Sequence, residues 1–232
     1  MGKNLRQQRR GKGSPRFRSP SHRFIGDISY LRSSAEGKGE VVDIKHDPIR
    51  TAPVAIVQTS DDKMLIIATE GMHVGQQIDM NKGEVNSGNI LTLEHIPEGT
   101  EICNIELNPG DGGRLCRAAG SSCVVVSHDK AKTTVRLPSR KFKVLNSMCR
   151  ATVGKAAGAG RIEKPFTTAG NKYYAMRARN RYWPKTKGVA KNPVDHPFGG
   201  SAKPGKHKTV ARDAPPGKKV GSLAARRMGR KK

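Results

Sequence analysis

Aromatic side chains make up only 4 % of the chain, and the hydrophobic residues together 34 %. Soluble domains ordinarily carry about 45–50 % apolar residues, glycine included. The chain can therefore bury a modest core, but not one that spans all 232 residues. There is no apolar run of 18 residues or more, and no hydrophobic stretch follows the basic N-terminus. Neither a membrane-spanning helix nor a signal peptide is expected. Amphipathic helices with bulky apolar faces, which an anionic membrane surface requires, are missing as well. Cys103, Cys116, Cys123 and Cys149 contain no C-x2-C pair and have no companion His pair. Zinc is not expected on that spacing; buried thiols in a reducing cytosol are. Acids are scarce too, 19 against 44 Lys and Arg, for a formal net charge of +25. Self-repulsion at that charge opposes compaction unless a polyanion relieves it, and nucleic acid is the commonest one.

The charge is unevenly spread. Residues 1–24 hold eight basic side chains and no acid. Residues 35–150 hold 14 basic and 15 acidic side chains, the balance of an ordinary globular surface. Residues 151–232 hold 21 basic side chains and only Glu163, Asp195 and Asp213 as acids. The excess sits at the two ends.

The middle reads as β structure. Gly39–Ile44, Pro53–Thr59 and Lys63–Thr69 are short and rich in β-branched residues, and Ser60-Asp61-Asp62 supplies a turn between the last two. Ile90–Leu93 and Glu101–Leu107 flank a turn at Pro97-Glu98-Gly99. Cys123–Ser127 and Thr133–Leu137 flank His128-Asp129-Lys130 as a hairpin. Arg140–Leu145 alternates basic and apolar residues, which predicts Phe142 and Val144 pointing inward. Short strands at this spacing predict small barrels rather than a parallel sheet. The break in pattern at 71–88 predicts two of them in tandem. The expected divisions are a basic extension over 1–34, a first barrel over 35–84, a second over 85–160 and a basic extension over 161–232. Asn171 to Arg181 reads as a short helix ended by Pro184. The rest of the two ends is dominated by Gly, Pro and basic residues, and such segments commonly become ordered on RNA.

Two local patterns invite a catalytic reading and do not sustain it. His196 could serve as a general base near neutral pH. Its neighbour Asp195 points the other way in an extended chain, however, and no nucleophile with an oxyanion hole accompanies it. Gly110-Asp111-Gly112-Gly113 lacks the Gly-Lys-Ser/Thr of a phosphate cradle and reads as a wide turn. No enzyme is expected. A catalytic component using His196 and a chromatin-like DNA compactor are the alternatives, and the two β clusters argue against the second.

The most specific segment is Lys191-Asn192-Pro193-Val194-Asp195-His196-Pro197-Phe198-Gly199-Gly200, whose two prolines constrain how its side chains project. It resembles the signature of the universal large-subunit ribosomal protein L-two family. So do Trp183-Pro184, Gly188-Val189-Ala190, Gly112 through Gly120, Val135 through Ser139, Cys149 through Gly154 and Pro215 through Gly221, in the family's order and across nearly the whole chain. The short N-terminal arm and the Pro197-Phe198 pair resemble the archaeal or eukaryotic branch. Two departures stand out: Lys191 replaces the family's usual Met, and Ser201-Ala202 follows two glycines where a third is common.

The resemblance implies a mostly β fold, an oligonucleotide-binding (OB-fold-like) barrel followed by an SH3-like barrel, with long, largely irregular basic N- and C-terminal extensions. It implies a structural role on large-subunit rRNA in the cytoplasmic ribosome. Neighbouring ribosomal proteins and the small subunit across the interface are the expected partners, with support for subunit association, tRNA binding and the peptidyl-transferase region. Neither DNA nor a membrane is an expected partner. No cofactor is expected beyond Mg²⁺ bridging to rRNA. RNA contacts are expected at Arg9, Arg10, Arg16, Arg18 and Arg23 of the first arm, and at Arg114, Arg117 and Arg150 of the barrels. Further contacts are expected at Arg177, Arg179, Arg181, Trp183, Lys187, Lys191, Asn192, Asp195, His196, Phe198, Gly199 and Gly200, then at Lys218, Lys219, Arg226 and Arg227.

Overall fold

The computed structural model describes residues 2–31, 37–60, 62–161, 163–201 and 208–226. Of the positions singled out above, Asp61, Ala202 and Arg227 lie outside these residues. The chain divides into two compact units, one of Ser21–Thr167 and one in which residues 1–20 join residues 168–232.

The first of these is mostly β, in keeping with an OB-like and an SH3-like barrel. Strand β1 (Gly37–Lys45) pairs antiparallel with β2 (Val54–Gln58), which forms the expected hairpin with β3 (Lys63–Ile67). On its other side β1 pairs with β4 (Gln77–Asn81), and β4 runs parallel to β5 (Ile90–Thr92). The expected strand at 101–107 stops early: β6 is Glu101–Cys103, because Asn104 takes a left-handed backbone at φ 47° and ends the extended run. Strands β5 and β6 do not pair with each other across Pro97–Gly99. Each instead lies against β10 (Arg150–Val153). The second hairpin, β7 (Cys123–Asp129) with β8 (Lys132–Arg136), forms as expected and continues to β9 (Phe142–Asn146).

Two bulges and one strand parity distinguish the structure from the simple alternation. The register of β1 against β2 slips between Val41 and Asp43, and that of β7 against β8 slips between Val125 and Ser127. Each bulge turns a valine, Val42 or Val126, out to solvent while Val41 and Val125 stay buried. In β9 the expectation for Phe142 and Val144 is reversed. Phe142 is 65 % exposed and Val144 is exposed, whereas Leu145 is 4 % exposed. Leu145 sits opposite the fully buried Thr133, and a period of two then places Lys143 on the inner side and Phe142 on the outer.

The cores are aliphatic. Leu91, Ile96, Ile102, Ile105, Val125, Val135 and Leu145 fill one cluster; Val41, Val57, Ile66, Ile78 and Ile90 fill another. All four cysteines are free; Cys103, Cys123 and Cys149 are buried and Cys116 is half-buried, with its Sγ 2.7 Å from that of Cys123. Burial pushes the Cys103 thiol up to about 12 and the Cys149 thiol up to about 11.

The segment ahead of β1 is part of this core. Ile28 and Tyr30 are buried. The Tyr30 hydroxyl donates to the Asn104 carbonyl at 2.7 Å and accepts from the Thr152 hydroxyl at 2.7 Å. Three arginines hold the segment's carbonyls: Arg50 donates to Gly26 O (2.7 Å), Arg117 to Ile28 O (3.2 Å) and Arg150 to Leu31 O (2.7 Å). Arg150 also forms a buried ion pair with Glu106 at 2.9 Å. The Glu106 carboxylate further accepts the amides of Gly110, Gly112 and Arg150. Asp111 accepts those of Leu107, Asn108 and Gly113, so the 110–113 stretch is a turn built on two carboxylates. Asp47 is buried and paired with Arg50. Burial raises its pKa, but the Ile49 amide and the Arg50 guanidinium outweigh that and hold the carboxyl below its ordinary value.

Candidate nucleic-acid interface

The unit made by the chain's two ends has little core: Leu5 is its one buried hydrophobic side chain among the described residues. Polar and backbone contacts hold it instead. Helix α1 (Arg6–Gly11) begins where the Leu5 amide donates to Gln8 Oε1 at 2.8 Å. The Lys3 amide donates to Val194 O at 2.7 Å, and Lys3 Nζ lies 3.7 Å from Asp195 Oδ1. Helix α2 (Ala169–Ala178) starts at Thr168, whose hydroxyl accepts the Asn171 amide. It ends earlier than Pro184, because Asn180 takes φ 50° and the amides of Asn180 and Arg181 close on the carbonyls of Arg177 and Met176. This is a left-handed cap with Asn in the role glycine often fills. The Asn180 side-chain amide then donates to the carbonyls of Pro15 and Arg18, 3.3 and 3.0 Å away, and so ties the N-terminal arm to the end of α2.

Aromatic rings and cations interleave at this junction. Arg6 stacks on Tyr182, 3.1 Å from the ring centre, and Lys172 Nζ lies 5.7 Å from the Trp183 ring. A cleft of about 350 Å³ between the arm and α2 is lined by Arg16, Phe17, Tyr173, Arg177, Asn180, Arg181, Tyr182 and Trp183.

Farther along, the Pro193–Gly200 loop folds on itself. His196 Nδ1 accepts the Phe198 amide at 3.0 Å, and the two rings meet edge to face at 5.1 Å. Gly188 leaves the space the His196 ring occupies; a Cβ there would overlap the ring. Gly199 is buried against the backbone of Asn192 and Lys191, with the same lack of room. Burial, then the positive charge of Lys191, lowers the His196 pKa. The Asp195 carboxylate lies toward Lys3, and His196 Nδ1 is taken by the Phe198 amide. Among the described residues no group of three or more His, Cys, Asp or Glu could hold a metal ion, and no helix is long and apolar enough to cross a membrane.

Comparison with known proteins decides the family. Residues 2–80 match the family model for Ribosomal Proteins L2, RNA binding N-terminal domain, and residues 86–219 match that for Ribosomal Proteins L2, C-terminal domain. The chain belongs to the L2 family of ribosomal proteins. It is 50 % identical over 236 residues to the large ribosomal subunit protein uL2 of Methanothrix thermoacetophila, covering all of both chains. It is 50 % identical over 241 residues to that of Methanothermobacter thermautotrophicus, again end to end. To uL2 of Natronomonas pharaonis it is 49 % identical, with 99 % of this chain and 97 % of the relative covered.

Within this L2 fold the candidate RNA-contact residues separate by burial. Arg9, Arg10, Arg16, Arg18, Arg23, Arg114, Arg177, Arg181, Lys187, Asn192, Gly200, Lys218, Lys219 and Arg226 are exposed. Arg179, Trp183, Lys191, Asp195, His196 and Phe198 are half-buried. Arg150, 8 % exposed, and Arg117 instead turn their guanidiniums inward onto Glu106 and onto backbone carbonyls. Gly199 is buried, and Arg227 lies outside the described residues. The sequence reading passed over Phe17, Tyr182, Arg6 and Asn180. The signal was present as aromatics set beside arginines, Arg16-Phe17-Arg18 and Arg181-Tyr182-Trp183, 165 residues apart.

Proposed function

We propose that the chain is a structural component of the large ribosomal subunit that holds large-subunit rRNA, with no enzymatic role of its own. The barrels fold on their aliphatic cores and set orientation, and the paired arms neutralise phosphates where RNA helices crowd. The observation that supports this most is the arm unit itself. It has almost no core and few acids, its cations are largely exposed, and aromatic rings sit among them. Such a surface is complementary to a folded polyanion with unpaired bases. Family membership and end-to-end similarity to proteins named uL2 support the ribosomal setting and hence a cytoplasmic location. Neighbouring ribosomal proteins and the small subunit are the further partners, with support for subunit association and tRNA binding by the chain as a whole, and approach to the peptidyl-transferase region by the loop around Asp195 and His196. The exposed and half-buried residues above are the proposed contacts; in this scheme the divisions near residues 34 and 160 mark the arms, that near 84 separates the two barrels, and the segment carrying Ile28 and Tyr30 packs into the barrel core. Lys191, where Met is usual in the family, and Ser201, where a third glycine is common, flank the same loop.

Two measurements test the reading. In native extract on a sucrose gradient, the chain should sediment with the large subunit and crosslink to a few discrete rRNA sites; free sedimentation or diffuse crosslinking to DNA and RNA alike would refute it. With about six to ten phosphates contacted, affinity for rRNA should fall roughly 10³–10⁵-fold between 50 and 200 mM salt. A fragment of residues 21–167, which keeps Ile28 and Tyr30 in their core, should show a much shallower slope.

A further inference from the structure

The cleft between the N-terminal arm and α2 is more specialised than phosphate neutralisation requires. Four of the chain's ten aromatic side chains line it: Phe17, Tyr173, Tyr182 and Trp183. Rings add nothing to the binding of a duplex backbone, whose outer surface is sugar and phosphate, but every unpaired base offers a π face to stack on. Its volume of about 350 Å³ lies at the small end of the range that ligand pockets occupy, about 300–1,000 Å³. Arg16 and Arg177 stand at its wall, and no acidic residue lines it among the described residues. The capped end of α2 leaves the Met176 and Arg177 carbonyls engaged by Arg181 and Asn180 amides rather than facing an incoming anion. The cleft is also held in shape from both sides. Asn180 clamps the arm at Pro15 and Arg18, and Arg6 packs on the Tyr182 ring.

We propose that this cleft captures one unpaired nucleotide of the rRNA, the base stacked among Phe17, Tyr173, Tyr182 and Trp183 and the phosphate held by Arg16 and Arg177. The inference rests on the ribosomal RNA reading above and narrows it to one nucleotide at one place. A single flipped-out base gives the arms a fixed register that phosphate contacts alone do not supply. The stacking surface accepts any base, so the choice of nucleotide follows from which position of the folded RNA is unpaired within reach.

The test uses large subunits isolated from cells carrying the intact chain or a variant. Zero-length ultraviolet crosslinking, nuclease digestion and mass spectrometry should find a mononucleotide adduct on Tyr173, Tyr182, Trp183 or Phe17. Probing the rRNA of the same subunits with a base-specific methylating reagent should find the adducted nucleotide protected. In Tyr173→Leu its reactivity should rise roughly fivefold or more, the factor to which the weakest base–aromatic stack corresponds; the remaining protections should be unchanged. Tyr173 is 43 % exposed, so this variant does not test folding. Arg177→Gln should raise the same reactivity while the adduct on the rings persists. If the chain is in the subunit and protects rRNA, yet no adduct forms on the four aromatics and Tyr173→Leu leaves every reactivity unchanged, the captured nucleotide is refuted and the ribosomal reading stands. If the chain is absent from large subunits, both fall together.

Discussion

The barrels and the arms use the same residue, arginine, in opposite ways. In the barrel unit Arg50, Arg117 and Arg150 turn inward, donate to the carbonyls of Gly26, Ile28 and Leu31, and two of them meet the buried carboxylates of Asp47 and Glu106. In the arm unit Arg9, Arg10, Arg16, Arg18, Arg177 and Arg181 are exposed, and the ion pair Lys3–Asp195 joins an exposed lysine to a half-buried aspartate. The difference follows from the core. Where aliphatic residues exclude water, a guanidinium needs partners and becomes a fastener. Where there is no core, it stays solvated and waits for an anion from outside. A count of arginines therefore says little about RNA contact until burial is known.

The sharpest way to break this contrast is at the inward arginines. Replacing Arg150 with Met leaves Glu106 buried without its cation, and loss of one partner of a buried pair costs about 3–5 kcal/mol. Chemical denaturation of the full chain should show that loss; a change within 0.5 kcal/mol would mean the pair is not a fastener. Next is the parity of β9. Leu145→Ala should cost about 2–5 kcal/mol as a core cavity, whereas Phe142→Ser should stay within about 0.5 kcal/mol. The reverse order would restore the inward Phe142 that the alternation predicts. Tyr30→Phe deprives the Asn104 carbonyl of its buried donor and should cost about 1–3 kcal/mol, read in the same denaturation series.

Acid should act on the barrels through Asp47. Its folded pKa is below the ordinary carboxylate value of about 3.9. Its contribution is therefore complete above that value and is lost as pH falls through the lower folded one. The stability gap between the wild type and Asp47→Asn should be constant from neutrality down to about pH 4 and close below it; a gap that widens in acid would reverse the sign. The smallest effect on stability belongs to the arms. Arg10→Gln should leave unfolding within about 0.5 kcal/mol, yet reduce the salt slope of rRNA binding by about one. An outward arginine that changed stability but not the slope would erase the distinction between the two units.

Much of the β architecture was legible because its signals are local. The β2–β3 and β7–β8 hairpins are short β-branched runs around turn residues, and local pairing needs no distant partner. The β5 and β6 runs were recognisable as strands, but not that both would pair with β10, some 50 residues on; that choice is a long-range one. The inner face of β9 was misread because Phe and Val are more apolar than Lys, although Leu145 alone settles the parity once it meets Thr133. In the arms, composition identified the basic surface and the Asn192–Gly200 motif. It could not bring Arg16-Phe17 to α2 and Tyr182-Trp183, because proximity of residues so far apart leaves no periodic trace.

By itself the sequence determined that this protein is a balanced β middle between two cationic ends, and its motifs determined the family. Charge, period and turn chemistry are written residue by residue, so they survive without coordinates. Only the tertiary structure decided which arginines face inward, which face of β9 is core, and that the two ends meet around an aromatic cleft. Those depend on which distant groups share a desolvated space, and burial is a property of the folded whole rather than of any segment.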